Sequence, residues 1–198
     1  MLKQKSQIIL ASSSAVRKQI MDASGIEFKA MKPFYDEDGQ KAFLPKMTCK
    51  KLALFLAKEK ALSVSEKFKN AYVIGSDQVC EFENKDISKS ENHAQALKQL
   101  KKFNGKIHFQ NNATVVAFNG KIIFENFSRV KLQMRKMSAK EIENYVAIDK
   151  PWGCAGSYKY ESLGKHLFTE ISGDYFAILG LAIQPLISFF YTKKIISL

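Results

Sequence analysis

The sequence predicts an α/β fold: a mixed β-sheet flanked by helices. Three observations predict it. Short apolar runs of strand length alternate with segments of helical apolar spacing from residue 8 to about residue 193, and such interleaving implies helices layered on a sheet. An Asn119-Gly120 pair between two strand-like runs adds an antiparallel hairpin, so the sheet is not all parallel. The chain has 198 residues, 46% hydrophobic and 25% charged. That suits one domain over 1–198 with a core of its own, and it excludes global disorder.

The elements follow in order. Ile8-Ile9-Leu10-Ala11 is a short buried strand. Ser14 caps a helix over 15–24, with Val16, Ile20 and Ala23 inward and Gly25 as the stop. A second strand covers 27–31, and 32–46, with Pro33, Gly39 and Pro45, reads as a loop. A long helix spans 47–65. Ala53, Leu56, Ala57, Lys60 and Val64 share one face, so a lysine stands in an apolar stripe. A strand over 71–74 ends at Gly75-Ser76-Asp77, and a helix covers 92–103. The hairpin joins strands at 113–118 and 121–124, and 130–134 alternates as a half-exposed strand. Ser138 and Glu141 form a capping box for a helix to about 148. Residues 151–165 read as a loop, 167–171 as a strand and 182–193 as a last helix.

Composition narrows the function. Lys and Arg outnumber Asp and Glu by 31 to 19, a net charge of +12. Polyanionic partners fit that charge, and so does a solvated lysine-rich surface. Cys49, Cys80 and Cys154 are odd in number and far apart, which fits neither a disulfide framework nor a zinc site. The apolar run at 8–11 is too short for a signal segment, and no stretch reaches the ~20 apolar residues of a membrane helix. A soluble, cytoplasmic protein is expected.

Several places could carry chemistry. Ser12-Ser13-Ser14 precedes a helix with Arg17 and Lys18 in its first turn. Serine hydroxyls, free N–H groups and an arginine fork suit phosphate, although a plain serine cap explains them equally. Asp77 at a strand end could hold Mg²⁺ or orient a water, or simply occupy a turn. Removing it from a strand end should cost little packing. Tyr35-Asp36-Glu37-Asp38 offers carboxylates to a hard cation or to solvent. Lys60 could point into a pocket or snorkel outward. A methionine there would suit the stripe, so Lys60→Met should leave stability unchanged or higher. Lys89 alone signals nothing. The loop Cys154-Ala155-Gly156-Ser157-Tyr158-Lys159-Tyr160-Glu161 could read a nucleobase. A carboxylate accepts from the guanine N1/N2 edge, and Tyr158 or Trp152 could stack. A surface loop is the alternative. His93, His108 and His166 lack metal spacing and are taken as structural or solvated.

Together these pieces resemble the Maf family of nucleoside triphosphate pyrophosphatases. The resemblance runs through Ile9-Leu10-Ala11-Ser12-Ser13-Ser14-x-x-Arg17, Asp36-Glu37, Ala57-Lys58-Glu59-Lys60-Ala61, Gly75-Ser76-Asp77 and Lys89. It continues through 138–146, Cys154-Ala155-Gly156-Ser157-Tyr158, Gly173-Asp174-Tyr175 and Leu179-Gly180-Leu181. Ser76-Asp77-Gln78-Val79-Cys80 and Lys159-x-Glu161 look like the 7-methyl-GTP subfamily, whereas dTTP/UTP enzymes usually carry Gln where Glu161 stands. The chain departs from the family pattern at Ala15, Lys18, Ser88, Ser90 and Ser162.

The resemblance implies a Maf-type sheet, two lobes with a central cleft, and a homodimer. It implies water attack on the α-phosphorus with Mg²⁺ or Mn²⁺, releasing a monophosphate and pyrophosphate. Asp77 and Glu37 would be the catalytic and metal-holding acids. Ser12, Ser14, Arg17, Lys60 and Lys89 would hold phosphates, and Glu161 would read the base. The expected role is removal of modified nucleotides before a polymerase uses them. One alternative is a Maf pyrophosphatase preferring dTTP or UTP; a non-catalytic nucleic-acid-binding protein is the alternative from another class. No RRM, KH or zinc-finger pattern supports it, so no specific nucleic acid is expected.

Overall fold

A computed structural model describes residues 2–41 and 43–198; side-chain detail also excludes Asp38 and Lys41. The elements are β1 (Lys3–Gln4), β2 (Ile8–Ala11), α1 (Ala15–Ala23), β3 (Lys29–Met31), α2 (Glu37–Lys41) and α3 (Cys49–Ser65). Next come β4 (Tyr72–Phe82), β5 (Lys85–Ile87), α4 (His93–Phe103), β6 (Ile107–Phe118), β7 (Lys121–Met134) and α5 (Ala139–Asp149). A 3-10 turn (Leu163–Leu167), β8 (Phe168–Ser172), α6 (Tyr175–Leu179), α7 (Ile183–Thr192) and β9 (Ile196–Ser197) complete the described chain. β1 and β9 form a separate antiparallel pair.

The main sheet has seven strands in the order β3-β2-β4-β6-β7-β8, with β5 also on β4. β2 is parallel to both β3 and β4, and the other pairings are antiparallel. The mixed sheet flanked by helices is therefore as the sequence predicts. The expected strand ending at Gly75 is not. β4 runs on through Asp77 to Phe82, because β6 pairs with it from Val73 to Glu81. Asp77 is thus mid-strand and 6% exposed. Likewise 130–134 is the second half of β7, and residues 37–41 within the expected loop form a short helix.

The long β4 creates an opening. On one edge it pairs with β2 only as far as Ile74, and β5 joins that edge only from Cys80. Across 75–79 its described partner is β6 alone. A ligand can enter where a sheet changes direction in this way.

The faces alternate along each strand. Ile9, Val73 and Val115 pack under Ala53, Leu56 and Ala57 of α3. Ile8, Leu10, Ile74 and Val116 pack on the other face against Ile20, Met21, Leu186 and Phe190. A third cluster, with Phe82, Phe103, Leu132, Val146 and Tyr158, fills the far end. Asn119 and Gly120 have φ of 50° and 71°, which closes a two-residue hairpin of the primed type. The Ser138/Glu141 capping box forms as predicted. No helix among the described residues is long and apolar enough to cross a membrane.

Candidate active site

A cleft of about 760 Å³ opens at the unpaired edge of β4. Ser12, Ser14, Arg17, Glu37, Lys60, Asp77, Lys89 and Glu161 all line it. The fold thus brings together the eight side chains to which the resemblance gives a role, while Lys18 and Trp152 stand outside this cleft.

At one wall the chain leaves β2 and enters α1. Ser14 caps the helix by accepting from the Arg17 N–H at 3.4 Å, and the Ser14 N–H donates to Ser12 Oγ at 3.1 Å. Arg17 is fixed from a distant segment: its Nε donates to the Gly180 carbonyl at 2.7 Å. Ser76 Oγ lies 2.8 Å from that same carbonyl, and Gln78 Nε2 donates to Ile178 O at 2.8 Å. Gly180 takes φ 103°, and a Cβ there would stand 3.2 Å from Arg17 Nε and from Gln78 Oε1. This glycine therefore ends α6 and lets its carbonyl face the guanidinium. Desolvation in the cleft lowers the Arg17 pKa, with Asp77 and Glu37 acting in the opposite sense.

The opposite wall belongs to α3. A Cβ on Gly75 would collide with the Ala57 carbonyl oxygen, so only glycine lets β4 approach the helix this closely. Lys60, one turn beyond Ala57, then reaches both acids. Its Nζ lies 2.5 Å from Asp77 Oδ1 and 2.6 Å from Glu37 Oε2. Burial raises the Asp77 pKa most strongly; Lys60 and Arg17 oppose that shift, and Glu37 adds to it. The side chain of Asp38, part of the acidic run, lies outside the described residues.

These ion pairs correct the expectation for Lys60→Met. Removing the ammonium takes an ion-pair partner from both carboxylates, and Asp77 is buried. Breaking such a pair from one side costs roughly 3 kcal/mol. We expect Lys60→Met to lower the urea midpoint at pH 7. The double variant Lys60→Met/Asp77→Asn should recover part of the loss. An unchanged midpoint in the single variant would show that the pairs contribute nothing.

The described residues contain no group of three or more His, Cys, Asp or Glu side chains gathered for a metal. Mg²⁺, however, is commonly held by one or two carboxylates together with substrate phosphates. Glu37 and Asp77 fit that smaller donor set.

The third wall is the segment 150–162 against the β5–α4 connection. The Gly153 N–H donates to Ser90 O at 2.7 Å. Ser157 Oγ donates to Gln99 Oε1 at 2.6 Å and shares a hydrogen bond with Ser90 Oγ at 2.9 Å. Gln99 Nε2 donates to Ser88 O at 2.8 Å. Both neighbours of the exposed Lys89 are thereby held, Ser88 through its carbonyl and Ser90 through its carbonyl and hydroxyl. Ser162, another departure, bonds Asp149 Oδ1 at 2.6 Å. Glu161 is exposed at the cleft, with no hydrogen-bond partner among the described residues.

Tyr158 is not the free stacking surface that the sequence suggested. It is 4% exposed, and its hydroxyl meets Gln110 Nε2 at 2.7 Å and His108 Nε2 at 3.0 Å. Its ring packs edge-on to Phe168. His108 is structural, as expected: it stacks on Phe103, and burial pulls its pKa down to about 4. Trp152 lines a neighbouring pocket that shares Glu37, Asp77 and Lys89 with the cleft.

Comparison with known proteins decides the family. The model of the Maf family, described as "Maf-like protein", matches residues 7–192. The chain belongs to the Maf family. A protein of Bradyrhizobium diazoefficiens named "Nucleoside triphosphate pyrophosphatase" is 39% identical over 98% of this Maf chain and 96% of its own. Proteins of the same name from Legionella pneumophila and Nitrobacter winogradskyi are 33% and 35% identical, covering 98% and 96% of both chains respectively. A solved nucleoside-triphosphatase, dITP/XTP pyrophosphatase, from Mycobacterium abscessus overlaps 66% of this chain and 75% of its own at 13% identity. Its TM-score is 0.37, too low to carry an argument.

Residue-by-residue reading missed what holds this Maf site in place. Gly180, Gln78, Gln110, Gln99 and Ser157 touch the site residues or their loops through a backbone carbonyl, side-chain amides and a hydroxyl. The one available signal was Gly180 inside Leu179-Gly180-Leu181, where a glycine after a short apolar run marks a left-handed helix end.

Proposed function

We propose that this chain hydrolyses 7-methyl-GTP to the monophosphate and pyrophosphate, with Mg²⁺ or Mn²⁺. Membership of the Maf family carries the coarser statement: the chain is a nucleoside triphosphate pyrophosphatase, a hydrolase acting on acid anhydrides. One observation supports the mechanistic reading above others. A single lysine links two carboxylates across a cleft whose other wall carries an arginine and a helix N-terminus.

Glu37 and Asp77 would hold the metal together with the phosphates, and the metal would offset negative charge at the reacting phosphorus. Asp77 orients the attacking water and accepts its proton; desolvation makes that carboxylate a better base than an exposed one. Arg17, pointed by Gly180, and the serine hydroxyls of 12 and 14 take phosphate oxygens. Lys60 shares its ammonium between the acids and the triphosphate, and Lys89 meets the phosphates from the third wall. The work is mostly positioning and charge stabilisation.

Glu161 supports the choice of base. Its carboxylate can accept from guanine N1–H and N2–H₂, whereas uracil and thymine present two carbonyl oxygens beside one N–H. Glu161→Gln should therefore shift kcat/KM toward UTP and dTTP by about tenfold, the cost of one mispaired polar group. The test is pyrophosphate release from 7-methyl-GTP, GTP, UTP and dTTP with each metal. A wild-type preference for UTP, or an unchanged ranking in the variant, would remove Glu161 from base selection.

A further inference from the structure

We infer that Tyr160 is the platform on which the nucleobase stacks, which makes purine triphosphates, above all those with a cationic base, the favoured class. The inference rests on the reading of Glu161 as the base-facing carboxylate. Tyr160 precedes Glu161, is half-buried, and lines the cleft. Tyr158 has its hydroxyl tied up in the core, so the aromatic position beside Glu161 falls to Tyr160.

The ring is braced. Tyr175 meets it at 5.8 Å and 68°, edge-on, and Phe168 meets it at 6.1 Å and 45°. Phe168 in turn packs on Tyr158 and His108 in the core. An edge-on neighbour and a tilted one fix the ring without stacking face to face on it, so little side-chain freedom is lost when a base arrives. Burial and Tyr175 raise the Tyr160 pKa, which keeps the hydroxyl neutral.

The brace also links the two ends of a nucleotide. Tyr175 is the first residue of α6, and Gly180, its C-cap, holds Arg17. A helix of five residues spans about 7.5 Å. Tyr160 and Arg17 are thus supported from opposite ends of one rigid element, as a base and a phosphate group of one ligand require. Stacking serves any base and favours larger rings, and a positively charged base adds cation–π attraction.

The test compares ligands with and without a base. Dissociation constants of the non-hydrolysable α,β-methylene analogue of GTP and of tripolyphosphate are measured by calorimetry with Mg²⁺ for wild type, Tyr160→Phe and Tyr160→Leu. We expect Tyr160→Leu to weaken the nucleotide analogue about tenfold. Tripolyphosphate should stay within about twofold, and Tyr160→Phe should bind both as wild type does. Unchanged nucleotide binding in Tyr160→Leu would overturn the inference, as would an equal loss for tripolyphosphate. Binding is read without turnover. A wild type that binds the analogue yet hydrolyses no triphosphate would defeat the proposed reaction while leaving the platform to these numbers.

Discussion

Asp77→Asn should abolish turnover while the protein stays folded. Loss of a positioned base typically costs ~10²–10⁴-fold in rate, and in the proposed mechanism Asn would also give up a negative metal contact. The structure changes the stability side of this expectation. Asp77 is buried, and burial raises its pKa above the ordinary value of 3.8. The folded state then holds its proton more tightly than the unfolded chain. Stability tied to this group is full below the ordinary carboxylate pKa and is lost as pH rises through the folded one. Asparagine cannot titrate, and Lys60 keeps its ion pair with Glu37, so in metal-free buffer Asp77→Asn should be at least as stable as wild type at pH 7. Its stability should also fall less between pH 4 and pH 7. Kinetics with urea denaturation at both pH values checks this. More than about half the wild-type rate would remove Asp77 from the base role, for which losses are far larger.

Gly75→Ala should be among the most damaging small substitutions in the fold. The added methyl meets the Ala57 carbonyl oxygen, and it would stand 2.8 Å from Ala61 Cβ and 2.9 Å from Ala61 N. These are backbone and Cβ atoms of α3, so no flexible side chain can swing aside. The helix must lift from β4, at a cost of about 3 kcal/mol. Lys60 rides on that helix, so its contacts to Glu37 and Asp77 should lengthen and activity should fall with stability. A lowered urea midpoint together with reduced turnover is the expected pair of results. An unchanged midpoint would mean that α3 does not need the close approach.

Local chemistry made much of this fold legible. Ser14, the Asn119-Gly120 turn and the Ser138/Glu141 box are short-range devices whose partners lie within a few residues, and each forms as read. The stripe on α3 also predicted its buried face. The strand through Asp77 was hidden because Gly75-Ser76-Asp77 has turn composition. Nine residue pairs with β6 override that preference, and pairing of this kind is invisible in one strand alone. α6 is too short to show a period. The orientation of Tyr158 and Tyr160 could not be read, since an irregular loop has no face. Lys60 stood out in the stripe, but its partners come from residues 37 and 77, brought together only by the tertiary fold. The candidate residues were thus named by type and order, while their supports were not.

Hydrolysis in ¹⁸O-labelled water tests the central claim most directly. With 7-methyl-GTP or GTP as substrate, attack of water on the α-phosphorus places one labelled oxygen in the nucleoside monophosphate and none in pyrophosphate. Mass spectrometry of the two products reads this in one turnover. Label in the monophosphate is the predicted result. Label in pyrophosphate, or release of labelled inorganic phosphate with a nucleoside diphosphate, would contradict the assignment of this cleft to α-phosphorus chemistry.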